Sequence, residues 1–446
     1  MQSPAPTTSS QQPSYPRHRA ARPTLVAAVV VFAVAFGVRL LCWRDARFEA
    51  YKVQSSVAEN YRRLAGLLKA NGLASFYDPS SPTSDPDLLG HPPGYPFVLV
   101  FVHAVFGGSD AAVQLFQAAC DSLAAALVFL IAAELLTFGT GLFAGVLVAL
   151  APQFCWNSLT LLPDTLAVLP LLAAVWLLVR AREGRVVLKA LGAGALVGAS
   201  CWLRANGLLL APFLAVAAVP LLFAKGGRWR PALGLVAGAL LVLAPMTLRN
   251  AVVYGHFIPV SLGAGQTLVE GIADYDREHR FGLPDTDLGL THMEAEEAGR
   301  PEYGAALFTP DGIERDRWRT RRALAVIREN PGWFAGVMIR RACSMLRLER
   351  TPPLALRAVQ RVFITAVFLP LYLFGLALLL RQRRRRELAA LLAVPLYFLC
   401  VQSALHTEYR YVLAVHYLLF VVAAFALRRA WLVVYGRLTT ETQRHS

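Results

Sequence analysis

The chain has 446 residues, of which 56% are hydrophobic and only 16% charged, and its mean hydropathy is +0.47. Those values exclude an ordinary soluble globule and indicate a polytopic membrane protein. The formal charge of +15 does not point to nucleic acid, because the basic residues stand in short blocks between apolar stretches, as membrane topology requires.

Met1 to Pro16 is rich in Ser, Thr, Pro and Gln, so residues 1–23 are expected to form a disordered cytoplasmic arm. Apolar stretches follow near 24–43, 112–136, 139–157, 161–180, 187–203, 206–223, 231–249, 355–380, 388–405 and 409–427. Lipid offers no partner for backbone amides, so each is expected to be helical. The fold class expected is therefore all-α and polytopic, with about ten transmembrane helices. No small-residue cleavage site follows the first stretch, which reads as a retained span.

Arg17, Arg19 and Arg22 precede the first span. Arg180, Arg182, Arg185 and Lys189 follow the fourth, and Lys225, Arg228 and Arg230 the sixth. The run Arg381 and Arg383–Arg386 follows the eighth, and Arg428 and Arg429 the tenth. All fall on one side, which the positive-inside rule makes the cytoplasm. Both termini then lie inside, and segments 44–92 and 250–352 face outward. The organisation expected is an N-terminal membrane module over 24–249, an outer segment over 250–352, C-terminal helices over 353–427 and a cytoplasmic tail over 428–446. A bacterial inner (plasma) membrane is the expected location.

In the first outer segment Val57, Tyr61, Leu64 and Leu68 make a helical apolar stripe, with Glu59, Arg62, Arg63 and Lys69 elsewhere, as in a helix lying along a membrane surface. His91-Pro92-Pro93-Gly94-Tyr95-Pro96 follows. The run Phe97–Phe106 is too short to span and reads as re-entrant or interfacial, against a wet cavity. In the second segment a helix is expected near Gly312–Glu329, its charges mostly solvated. Asn330-Pro331 stops it, and an amphipathic helix over Gly332–Leu348 offers Arg340, Arg341, Arg347 and Arg350 to lipid head groups.

Ala244 to Gly265 holds the most informative arginine. Arg249 ends an apolar span with Asn250 beside it and Gly255, Gly263 and Gly265 behind it. Guanidinium can hold a lipid-borne phosphate through two parallel hydrogen bonds; a snorkelling anchor is the other reading. Arg204, near Asn206, is a second phosphate candidate. Asp164 follows Pro163 at a span end, where a carboxylate could be catalytic or could cap helix-start amides. The six cysteines form neither metal spacing nor a disulfide framework. No nucleotide-binding loop and no HExxH occurs, so neither a cofactor nor a metal is expected.

Taken together, HPPGYP, Leu162-Pro163-Asp164, Trp202 to Gly207, Pro245 to Asn250, Asn330 to Phe334 and Arg410-Tyr411 resemble, in collinear order, the multi-spanning glycosyltransferases that use polyprenyl-phosphate sugars. Protein mannosyltransferases and lipid A aminoarabinose transferases belong to that superfamily. The resemblance implies transfer of a sugar from a polyprenyl-phosphate donor to an acceptor hydroxyl on the outer face, with inversion. It implies a first-loop carboxylate as base and cations for the leaving phosphate. The acceptor is left open, and the bilayer is the other partner. Family members place an acid shortly before a helix like Tyr61 to Ala65; here Val57 and Ala58 occupy the usual Asp-Glu spots, and Glu59 is the nearest acid. Candidate bases are Glu59, Glu49 and Asp164, with Asp78 and Glu270 behind them. Arg249, Arg204 and Asn250 are candidate phosphate ligands, and His91, Tyr95, Glu270, Arg410 and Tyr411 are expected around the substrate cleft. An O-antigen-type polymerase or ligase would rely on outer-loop arginines without an early acid. A transporter would place polar groups near the midplane and show repeats.

Overall fold

The computed structural model describes residues 21–181, 185–223, 227–347 and 364–444, and every regular element in them is helical. The N-terminal arm, Lys225, Arg350 and the first part of the 355–380 stretch lie outside them. In chain order, α1 (Ala21–Tyr51) turns through Gln54 into α2 (Ser55–Asn71), and short 3-10 turns lead to α3 (Gly94–Phe106) and α4 (Asp110–Leu135). Then come α5 (Phe138–Leu150), α6 (Pro152–Asn157), α7 (Asp164–Arg180), α8 (Val186–Leu203), α9 (Leu210–Ala217), α10 (Val219–Leu222) and α11 (Trp229–Tyr254). The second long segment holds α12 (Ala264–Ala273), α13 (Asp287–Ala298), α14 (Gly312–Glu329) and α15 (Pro331–Arg347). A π turn at Ile364–Phe368 opens α16 (Leu369–Arg381), followed by α17 (Arg385–Ser403) and α18 (Leu413–Arg444).

The chain is an all-α, multi-pass membrane protein. Among the described residues, six helices are long and apolar enough to cross a membrane: Arg22–Tyr51, Asp110–Leu135, Val186–Leu203, Trp229–Tyr254, Arg385–Ser403 and Tyr409–Tyr435. The other stretches expected to span are shorter or broken where described. Pro152 divides 139–157 into α5 and α6, α7 starts only at Asp164 after Pro163, and Pro220 separates α10 from α9. Proline lacks the amide a continuing helix needs, yet suits a first turn.

The last span is the hub. Between Leu413 and Ala426 of α18 every residue is buried, and α5, α16 and α17 pack around it. By contrast α1 turns Leu25, Val26 and Val29 outward, as a lipid-facing helix does. α8 and α11 meet backbone to backbone through Gly194, Gly198, Gly234 and Gly238. A Cβ at Gly194 would strike the Leu235 carbonyl, and one at Gly238 the Leu191 carbonyl. Spacing small residues by four lets two helices approach this closely in lipid.

Both long segments lie at one end of the bundle, the loop face. α2 buries Tyr61, Leu64 and Leu68 of the expected stripe together with Ala58 and Ala65, leaves Val57 half-buried, and leaves Glu59, Arg63 and Lys69 exposed. α14 spans the predicted Gly312–Glu329, but its charges are not all solvated. Arg315 and Arg319 turn inward and clasp Glu294 of α13, at 2.6 and 2.5 Å. Arg341 likewise does not reach lipid head groups: it is buried, and donates to the carbonyls of Ser403 (2.7 Å) and Gly271.

Nor are ionisable groups confined to span ends. Arg39 of α1 and Asp121 of α4 pair at 2.5 Å with both side chains wholly buried. Tyr417 of α18 donates to the same carboxylate, and Arg39 Nη1 donates to the carbonyls of Ala35 and Ala149. A charge inside a span is tolerable only with such partners.

Candidate active site

At the loop face, three elements converge on Asp164. It is the first residue of α7, and Pro163 before it offers no side-chain cap. The capping reading does not hold. Neither carboxylate oxygen accepts a hydrogen bond from the described residues, and both point at arginines. Arg204 Nε lies 3.4 Å from Oδ1 and Arg410 Nη1 3.8 Å from Oδ2. Arg204 takes an extended conformation just after α8, whose Ser200 hydroxyl donates to Ala167 O of α7 and so fixes the two helix ends together. Arg410 lies in the turn Tyr409–Val412 that leads into α18.

Tyr411 lies against both guanidiniums, with Arg204 4.2 Å and Arg410 4.9 Å from its ring centroid. Asn206 donates to the Tyr411 carbonyl at 3.1 Å, which locks the turn after α8 to the turn before α18. Glu408, absent from the sequence candidates, accepts from Arg410 Nε at 2.8 Å and from Gln54 at 3.2 Å. Two arginines, one enclosed carboxylate and one partly open carboxylate thus share a single site.

Tyr61 of α2 roofs it. Its phenol oxygen is buried and has no hydrogen-bond partner among the described residues. Burial pushes this phenol up, against the pull of Arg204 and Arg410. Its ring packs on His91 and Tyr95, both at 5.1 Å. Tyr95 stands behind: its hydroxyl donates to Gln117 of α4 at 2.7 Å. Two shallow hollows meet at His91; one follows α2 and the other reaches Arg249.

Burial, with the fields of Arg204 and Arg410, pulls the His91 imidazole down to about 4. The folded value lies below the ordinary 6.5, so the unfolded chain binds the proton first. Its contribution to stability is complete above pH 6.5 and is lost as pH falls toward 4. The apparent melting temperature should fall along that limb, and His91→Gln should flatten it. An acid limb unchanged in His91→Gln would assign the loss to other groups.

The remaining candidates stand elsewhere. Arg249 is buried, and its donors serve Phe76 O, Thr83 O, Ser84 Oγ, Asn250 Oδ1 and the Tyr254 hydroxyl at 2.9–3.4 Å. Guanidinium has five N–H groups in all. Asn250 in turn donates to the carbonyls of Ile258 and Val260. The pair therefore staples the first long segment to the end of α11. Glu59 and Glu49 lie on the surface, paired with Arg62 at 3.3 Å and Lys52 at 2.8 Å. Asp78 caps the turn at Ser80. Glu270 is buried in α12 beside Gln266; burial and the neighbouring Asp287 carboxylate raise its pKa to about 9. Among the described residues no group of three or more His, Cys, Asp or Glu is placed to hold a metal ion.

Residues 90–248 match the sequence profile of the dolichyl-phosphate-mannose-protein mannosyltransferase family. No curated protein matches the chain. Among solved structures, the oligosaccharyltransferase of Archaeoglobus fulgidus in its apo form aligns at a TM-score of 0.54 and 17% identity, over 95% of this chain and 52% of that one. The archaeal oligosaccharyltransferase AglB from the same organism, in complex with an inhibitory peptide and a dolichol-phosphate, aligns at 0.53 and 15%, over 94% and 52%. ArnT from Cupriavidus metallidurans bound to undecaprenyl phosphate gives 0.37 and 15%, over 92% and 77%. The chain spans about half the length of the archaeal structures it matches. The profile match and the shared archaeal fold agree with the family resemblance drawn from the sequence.

Proposed function

We propose that the chain is a membrane glycosyltransferase that moves a sugar from a polyprenyl-phosphate donor to an acceptor hydroxyl. The observation that carries this reading is the pair of arginines around Asp164 at the loop face, Arg410 buried and Arg204 half-buried. Arg410 Nη1, the Tyr61 hydroxyl and both Asp164 oxygens are left without hydrogen-bond partners among the described residues. Two preorganised guanidiniums in a water-poor site suit a phosphodiester that gains charge as it leaves. We assign the phosphate to Arg204 and Arg410, with Asp164 as the buried counter-ion that holds both in place. Arg249 and Asn250 are positioning residues in this assignment. Tyr61 and His91, neutral at pH 7, offer hydrogen bonds to the donor. The dolichol-phosphate held by the archaeal enzyme supports a lipid-phosphate donor, and the profile match supports sugar transfer.

The test is incubation of the purified protein in nanodiscs with a panel of polyprenyl-phosphate sugars, followed by mass spectrometry of the lipid. Release of free polyprenyl phosphate is expected with one or more donors. No release and no binding across the panel removes the reading.

The orientation proposed has the loop face outside the cytoplasm, in a bacterial inner membrane, because the basic blocks gather at the opposite helix ends. Cysteines placed at the exposed Ser80 and Asp311 should react with an impermeant thiol reagent in intact cells, and one at Arg384 should not. The reverse pattern inverts the topology.

A further inference from the structure

A transfer to a hydroxyl needs somewhere for the acceptor proton to go. Glu59 and Glu49 pair with Arg62 and Lys52 on the surface, with side chains 71% and 67% exposed, rather than with either arginine of the site. Asp164 is 1% exposed and closed off beneath both arginines. Glu408 is different. Its side chain is 27% exposed while its carboxylate touches Arg410, so the group meets solvent and the arginine pair at once. It is held from two directions, by Arg410 Nε and Nη2 and by Gln54 at the corner between α1 and α2.

We propose that Glu408 is the base that takes the acceptor proton; the inference rests on the glycosyltransferase reading above. The acceptor oxygen forms its bond to the anomeric carbon as the bond from that carbon to the phosphate oxygen breaks. The electron pair leaves with the lipid phosphate, and the acceptor proton passes to a Glu408 oxygen. Charge balances: the phosphate gains one negative charge as Glu408 loses one. Arg410 couples the two events, because its Nε and Nη2 hold Glu408 while its Nη1 faces Asp164. A phosphate arriving between Arg204 and Arg410 competes for the same guanidinium and loosens its hold on Glu408. The base is thereby released only when the donor is in place.

The experiment compares Glu408→Gln and Glu408→Ala with the wild-type enzyme in nanodiscs, using a donor the wild type accepts. Glu408→Gln should lower transfer to a hydroxyl by roughly 10²–10⁴-fold, the usual yield of general-base catalysis, while donor affinity stays within a few-fold. Azide carries no proton to remove, so adding it to Glu408→Ala should restore turnover and yield the glycosyl azide. Near-normal transfer by Glu408→Gln, or failure of azide to rescue a folded Glu408→Ala that still binds donor, overturns the assignment. A wild type inert toward every donor overturns the glycosyltransferase reading and this inference with it.

Discussion

Alanine at Arg410 is expected to lower turnover by roughly 10²–10³-fold, the scale of losing one preorganised donor to a developing anion. This guanidinium meets Glu408 at 2.8 Å and Asp164 at 3.8 Å and lies against the Tyr411 ring. Its removal also leaves two carboxylates facing the incoming phosphate, so donor affinity should fall together with turnover. Lysine should recover only part of the loss, because an ammonium cannot serve Glu408 and a phosphate through a planar fork. Arg204→Ala should behave similarly, since Arg204 takes the other Asp164 oxygen. The measurements are donor titration and single-turnover transfer, with melting temperature as the check on folding. Unchanged donor affinity in both folded alanine variants would make these arginines structural and would remove the phosphate assignment.

The second large effect is on stability. Arg39→Met alone, or Asp121→Leu alone, should destabilise the fold by about 3–5 kcal/mol, because each strands the partner's charge in an apolar interior. The double variant should recover most of that loss, since two well-packed apolar side chains need no desolvation. Tyr417 then loses its acceptor, so recovery should be incomplete. Thermal unfolding in nanodiscs reads the comparison directly. A double variant as unstable as either single one would show that the pair does more than neutralise itself.

Periodicity and proline placement made much of the fold legible. The Tyr61, Leu64 and Leu68 stripe, the Gly312–Glu329 helix and the stop at Asn330-Pro331 all follow from local side-chain chemistry. Span counting was weaker, because apolar composition continues through Pro152 and Pro220 although the backbone does not. Within the candidate site, Asp164, Arg204, Arg410 and Tyr411 are all nameable from their positions at span ends. That they share one site is a tertiary fact, set by α7, α8 and the turn before α18. Arg249 reads as available in the sequence because its partners, two main-chain oxygens and the side chains of Ser84, Asn250 and Tyr254, are gathered by the fold and form no sequence pattern. Glu408 carries no such signal for the converse reason: it belongs to no motif, and only the turn that carries Arg410 brings it to Gln54. The Arg39–Asp121 pair does have a signal, an arginine inside one apolar span and an aspartate in the middle of another.

The glycine seam between α8 and α11 works as a machinist's gauge block. Arg204 follows the end of α8, and Arg249 lies near the end of α11, so the spacing between these helices sets the datum for everything mounted above them. No residue is smaller than glycine, so error at this seam runs in one direction only, toward separation. An error of about 1 Å at a reacting centre can cost on the order of 10²-fold in rate. Gly194 and Gly238, which lie on the stems of the two helices, therefore fall within the tolerance of the chemistry, and a methyl group there would act as a shim.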